Sequence, residues 1–151
     1  MTFYELRKIV PNATGETWHQ HPNGGGWCKN TARVAAEAYV GPCAIVHGGT
    51  ILGGTILGGE IHGGTILGGT IRGGTWRESP IQIQGSSDFV GEASESLIQI
   101  GCLCESPEWW DGHYRRVGAE CGYTSAQNNE YRLYLELIAK VRAIRAAAAG
   151  E

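Results

Sequence analysis

Residues 48–74 read G-G-T-I-L, G-G-T-I-L, G-G-E-I-H, G-G-T-I-L, G-G-T-I-R, G-G, a five-residue period that carries twelve of the 24 glycines in the 151-residue chain. Two glycines in every five residues exclude a helix, at about 1 kcal/mol lost per glycine. A flat sheet closed by hairpins needs longer strands between its turns. A coil that turns after every short strand satisfies the pattern: in extended backbone, residues two apart share a face, so the β-branched residue of each unit points inward and its immediate neighbours point out. Upstream the period is six, with Ala32-Arg33-Val34, Ala38-Tyr39-Val40 and Ala44-Ile45-Val46 spaced six residues apart. The expected core column is Val34, Val40, Val46, Ile51, Ile56, Ile61, Ile66, Ile71 and Trp76, lining a β-solenoid with glycines at its corners.

The A-x-V hexads resemble the hexapeptide repeat of left-handed parallel β-helices, which are triangular in section. The resemblance implies three sides per coil and about 15 residues per coil in the five-residue region. Residues 15 apart then stack: His47, His62 and Arg77 form one outward ladder, with Ile45, Glu60 and Thr75 beside it. The other sides carry Thr50 over Thr65 with Leu52 over Leu67, and Thr55 over Thr70 with Leu57 over Arg72. A four-sided coil would instead set His47 against Leu67 and His62 against Gln82. Outward Leu52, Leu57 and Leu67 form an apolar patch that calls for a cover, and left-handed β-helices commonly assemble as trimers, so a homotrimer is expected.

The fold class expected is therefore mainly β: a short left-handed triangular solenoid over residues 31–78, an N-terminal cap and loop over 1–30, and an α+β appendage over 79–151. The loop holds Trp18, His21, Asn23 and Trp27 around Gly24-Gly25-Gly26, with Trp18 or Trp27 expected to plug the first coil. Beyond the solenoid, Ile81–Gln84 and Leu97–Cys104 read as strands joined by a turn over 85–96. Ser106-Pro107-Glu108 marks a helix start, running to about Val117. Thr124 and Gln127 have capping-box spacing before a second helix whose Ala146–Ala149 end is expected to fray.

Composition narrows function. With 12 Lys+Arg against 15 Asp+Glu the formal charge is −3, which argues against a nucleic-acid-coating role. No apolar run reaches membrane-spanning length, and residues 1–10 lack a signal-peptide core, so neither a membrane partner nor export is expected. Five cysteines without C-x-x-C spacing read as reduced thiols of a cytosol. Cys102, Cys104, His113 and Cys121 are zinc-type donors in no zinc spacing, and neither a nucleophile elbow nor a phosphate-binding loop is present. No metal and no cofactor are expected.

The flanks W-x-H-P-N-G-G-G-W (Trp18, then His21–Trp27), A-Y-V-G-P (Ala38–Pro42), I-Q-I-Q-G-S (Ile81–Ser86), I-G-C (Ile100–Cys102) and E-W-W…Y-R-R-V-G…G-Y-T…E-Y (Glu108–Tyr131) resemble small phage and prophage proteins with hexapeptide-type β-solenoids. The resemblance implies a phage setting in the host cytoplasm. It brings no settled activity; Arg and His beside Trp suit a compact anionic aromatic molecule, so the expectation is a non-enzymatic accessory protein of anti-defence type that sequesters a small anionic, nucleotide-like signal or binds a host defence protein. The residues expected to contact a ligand are His47, His62, Arg72, Arg77, Trp18, His21, Asn23 and Trp27. The alternatives are a structural virion or assembly protein and a hexapeptide-type acyltransferase, against which stands the lack of any excursion loop between Gly48 and Thr75.

Overall fold

The structure is a computed structural model that describes residues 1–150. The chain forms two compact units, one of Met1–Gln82 with Glu92–Glu95, the other of Ile83–Gly91 with the chain from Ser96 onward.

The first unit opens with helix α1 (Phe3–Ile9) and an antiparallel pair, β1 (Trp18–Gln20) and β2 (Trp27–Lys29). Seven strands follow: β3 (Arg33–Val34), β4 (Tyr39–Val46), β5 (Thr50–Ile51), β6 (Thr55–Ile61), β7 (Thr65–Ile66), β8 (Thr70–Ile71) and β9 (Thr75–Trp76). They stack in parallel as three walls: β3-β5-β7; the first parts of β4 and β6 with β8; and β2, the second parts of β4 and β6, and β9. This is a β-solenoid of about three turns.

The pairing registers show how the two periods join. Cys28 pairs with Val46, 18 residues on; Val34 with Ile51, 17 on; Val40 with Ile56, 16 on; and Val46 with Ile61, 15 on. From there the offset stays at 15, with Ile51 on Ile66, Ile56 on Ile71 and Ile61 on Trp76. Each six-residue side replaced by a five-residue side shortens the coil by one residue. The surplus is absorbed at a corner, where the β4–β6 register shifts between Val40 and Cys43. The stacking of Ile51 on Ile66 and of Ile61 on Trp76 also excludes the four-sided coil.

Inside, Val40, Val46, Ile51, Ile56, Ile61, Ile66 and Ile71 are fully buried, each aliphatic side chain contributing roughly 1.5–3 kcal/mol relative to exposure. The plug at the N-terminal end differs from the expected tryptophan. Cys28 occupies the core column, fully buried, and burial pushes its thiol pKa up to about 11. Trp18 and Trp27 instead pack with Leu6, Ala13 and Ile45 on the outer face of a wall. The reason is alternation: Cys28 pairs with inward Val46, so Trp27 pairs with outward Ile45. The solenoid thus begins before residue 31.

At the other end of the column Trp76 is nearly buried, its indole donating to the Gly73 carbonyl at 3.0 Å. The last coil would expose unpaired strand-edge amides. Side chains and backbone from 79–82 and 92–95 satisfy them: Ser79 Oγ accepts from Thr65 N (2.9 Å), Gln82 Oε1 accepts from Leu67 N (2.6 Å), and Ala93 O accepts from Arg72 N (2.7 Å).

A four-stranded sheet runs in the order β10 (Gln82–Gln84), β11 (Phe89–Glu92), β12 (Ile98–Ile100), β13 (Leu103–Glu105). The stretch expected as one strand over 97–104 is a hairpin, because Gly101, at φ +58°, turns the chain there. Cys102 sits in that turn and Cys104 in β13, so strand alternation does not relate the two thiols. The expected 85–96 turn contains β11. Helix α2 (Pro107–Glu120) starts as read, with Ser106 Oγ accepting from Trp109 N at 3.1 Å, and continues past Val117. Helix α3 (Ser125–Ala149) carries the Thr124–Gln127 capping box, and its alanine end is helical through Ala149. Buried Tyr131 holds the loop between β10 and β11, its hydroxyl donating to Asp88 O at 2.9 Å and accepting from Ser87 N at 3.1 Å.

Candidate functional site

The site is built on one solenoid wall and the corner after it. Val46 and Ile61 point inward as register partners, so the residues that follow them, His47 and His62, lie one above the other. The corner is tied from below: Ile61 O accepts from His47 N (2.7 Å) and Gly48 N (3.2 Å), and Trp76 O likewise accepts from His62 N (2.7 Å) and Gly63 N (3.3 Å). The two imidazoles stack at 4.1 Å between centroids, 11° from parallel. Glu60, one position before Ile61, projects from the same face, since residues two apart do so. Its Oε2 lies 3.2 Å from His47 Nε2 and 3.1 Å from His62 Nε2. Trp18, carried by β1, meets His47 edge-on at 5.2 Å and 89°.

The group is partly open to solvent: the side chains of His47, Glu60 and His62 are 20%, 38% and 29% exposed. Burial holds the His47 pKa below the ordinary histidine value, and the charge of His62 acts in the same direction, while Glu60 opposes both. Both rings can serve one carboxylate oxygen as Nε2–H donors.

The remaining expected residues separate. Arg77 follows Trp76, the partner of Ile61, which places it on the rung after His62, exposed. Arg72 follows Ile71 on a different wall and is also exposed. His21 is buried and braces the β1–β2 turn, with Nδ1 at 3.3 Å from Asn23 N and 3.1 Å from Asn23 O. Asn23 donates from Nδ2 to Glu37 O at 3.4 Å. Trp27 donates from its indole to Met1 O at 3.0 Å and packs on Phe3. The structure therefore brings together Trp18, His47 and His62, and gives His21, Asn23 and Trp27 structural partners.

Glu60 is the residue that sequence reasoning placed beside the ladder without counting it as part of the site. The signal was present: G-G-E-I-H is the one pentad in which the position otherwise held by Thr carries an acid, and it also carries His62. Among the described residues, His47, Glu60 and His62 are the trio whose donor atoms converge, all within 4.8 Å of one another. The second unit has its own cavity of about 370 Å³ between α2 and α3, lined by Ile98, Asp111, Tyr114, Arg132 and Glu136 among others; Arg132 and Glu136 are ion-paired there.

No described helix is long and apolar enough to cross a membrane. Comparison of the chain with known protein families, curated proteins and solved structures returned no match.

Proposed function

We propose that the protein is a non-enzymatic phage accessory protein that sequesters a small nucleotide-like anion, working as a homotrimer of left-handed coils in the host cytoplasm. The observation that carries this reading is the stacked His47–His62 pair, backed by Trp18, with Arg77 on the following rung. Backbone hydrogen bonds to the next coil hold His47 and His62 at the corner, which lowers the ordering entropy that opposes binding. Glu60 occupies the Nε2 side of both rings, which confines an anionic group to the Arg77 end and leaves the ring edges for a base. Capture by mass action requires affinity and copy number but no turnover.

A second reading, a host defence protein as partner, draws on a different observation: Leu52 and Leu67, register neighbours of one wall, are 56% and 61% exposed. The same leucines are the surface proposed to meet neighbouring subunits.

A thermal-shift panel of mono-, di- and cyclic nucleotides, with each compound recovered and analysed afterwards, tests the reading. Stabilisation with the nucleotide intact, abolished in a His62→Ala/Arg77→Ala double variant, supports sequestration. Consumption of the nucleotide points to a transferase, and no shift with any compound points to a protein partner or a virion role; either result discards the proposal.

A further inference from the structure

We propose that His47, Glu60 and His62 form a binding site for a divalent first-row transition-metal ion, Zn²⁺ by preference. The geometry of these three side chains points to it independently of any nucleotide. Zinc–imidazole and zinc–carboxylate bonds are roughly 2.0–2.2 Å, so two ligand atoms on one ion lie about 3.3 Å apart in a tetrahedral shell. The two His–Glu donor separations, 3.2 and 3.1 Å, already match that spacing. All three donor atoms fall within 4.8 Å, and because the two rings are stacked 11° from parallel, the His62 ring must tilt out of the stack for both Nε2 lone pairs to face one ion.

The donor set selects the ion. Two imidazole nitrogens and one carboxylate oxygen suit first-row transition metals, Zn²⁺, Co²⁺, Ni²⁺, Cu²⁺ and Fe²⁺ among them, whereas Mg²⁺ and Ca²⁺ take oxygen-rich shells. Loading changes the proton arrangement in a definite way. In the metal-free site both Nε2 atoms point at Glu60 Oε2 as N–H donors; with a cation seated there, each ring carries its proton on Nδ1 and presents the Nε2 lone pair. Three protein ligands leave at least one coordination position for water, unlike the closed four-ligand shell of structural zinc sites. Trp18, packed edge-on against His47, limits the swing of that ring and so pre-orients one ligand.

The test is titration of the EDTA-treated, gel-filtered full-length protein with ZnCl₂ in a calorimeter, without nucleotide, and with CoCl₂ followed by visible absorption. The expected result is one ion per chain, a cobalt spectrum without thiolate charge transfer, and an affinity lowered about tenfold or more in Glu60→Gln and in His62→Asn, by analogy with the loss of a metal-site partner. A Cys102→Ser/Cys104→Ser variant should bind unchanged. If either site variant fails to fold by circular dichroism, imidazole ¹⁵N spectra of the wild-type protein decide: Zn²⁺ must shift the Nε2 resonances of two histidines that MgCl₂ leaves in place. Absence of saturable Zn²⁺ binding overturns the proposal. So does binding that persists in Glu60→Gln and His62→Asn, or that disappears with the two cysteines.

Discussion

Replacing Gly54 by alanine, with Gly68→Ala as its control, tests the 15-residue stacking directly. Gly54 has φ +86°, and a Cβ built on it would lie 2.6 Å from the Gly69 carbonyl oxygen and 2.7 Å from the Gly68 carbonyl carbon of the next coil. Left-handed backbone costs an alanine about 1–2 kcal/mol. The clash is with backbone rather than with a flexible side chain, so relief requires the coils to part and strand hydrogen bonds to lengthen. The two effects together give about 2–4 kcal/mol, at the upper end of ordinary single substitutions. For a chain of this size that lowers Tm by about 6–12 °C, at roughly 3 °C per kcal/mol. At Gly68, φ is not in the left-handed region and a Cβ meets nothing within 4 Å. Gly68→Ala should therefore leave Tm unchanged or raise it slightly, because alanine restricts the unfolded chain by about 0.4–1 kcal/mol. Thermal melts followed by circular dichroism read both. Equal losses in the two variants, or a tolerated Gly54→Ala, would refute the stacking of Gly54 over Gly69.

Thiol labelling should report the core plug: Cys43, Cys102 and Cys121 are exposed and should react with a disulfide reagent in the native protein, whereas buried Cys28 should react only after denaturation. Because the folded Cys28 pKa lies above the ordinary thiol value, its contribution to stability is complete below pH ~8.5 and falls away as pH rises toward about 11; urea midpoints measured across that window should decline less steeply in Cys28→Ala. Thr124→Ala, which removes the capping oxygen that accepts from Gln127 N at 3.1 Å, should cost about 1 kcal/mol in urea unfolding. Leu52→Ser/Leu67→Ser should convert the proposed trimer to monomer by light scattering, and an unchanged mass would place the subunit contact elsewhere. Deleting residues 53–57, one whole side of a coil, should leave a folded solenoid by circular dichroism but set His47 over Leu67 instead of His62, with loss of Zn²⁺ binding.

Much of the solenoid was legible because its information is periodic. Ile51 to Ile71 repeat every five residues, and a strict period leaves one coil geometry that buries them all. The plug was misread for want of one step: extending the six-residue spacing back from Val34 lands on Cys28, and the expectation of Trp18 or Trp27 overlooked that register. The β-hairpin at Gly101 was hidden because Ile98-Gln99-Ile100 and Cys102-Leu103-Cys104 both read as strand on either side of the glycine, and such a run gives no sign of a reversal unless the φ of its glycine is known. The helix starts at Ser106 and Thr124 were readable from local capping chemistry. Their ends were not, since Gly118 lies at a close approach of α2 to α3, where an added Cβ would meet Asn128 Oδ1, and that packing carries the helix on. His21 and Asn23 looked like ligand groups for the same reason that they are structural: a turn rich in glycine needs side chains to bond its backbone.

Glu60 joins the two histidines through the pairing rule rather than through distance along the chain. Coil lengths here run from 18 down to 15 residues, yet every rung aligns inward residue on inward residue, because burial of the column outweighs the strain of a longer corner. Outward neighbours of aligned residues are thereby aligned as well, whatever the corner contains. His47 follows Val46 and His62 follows Ile61, so their stacking is a consequence of core packing and not of a fifteen-residue count. Glu60 precedes Ile61, and on an extended strand that places it two residues from His62 on the same face and diagonally across the rung from His47. A solenoid can therefore collect a ligand set from positions 13 and 2 residues apart in sequence with no dedicated loop, provided that the three lie beside core residues of adjacent rungs. The backbone of the cluster is consequently positioned by the isoleucine column behind it, and its placement is coupled to the burial of Ile61.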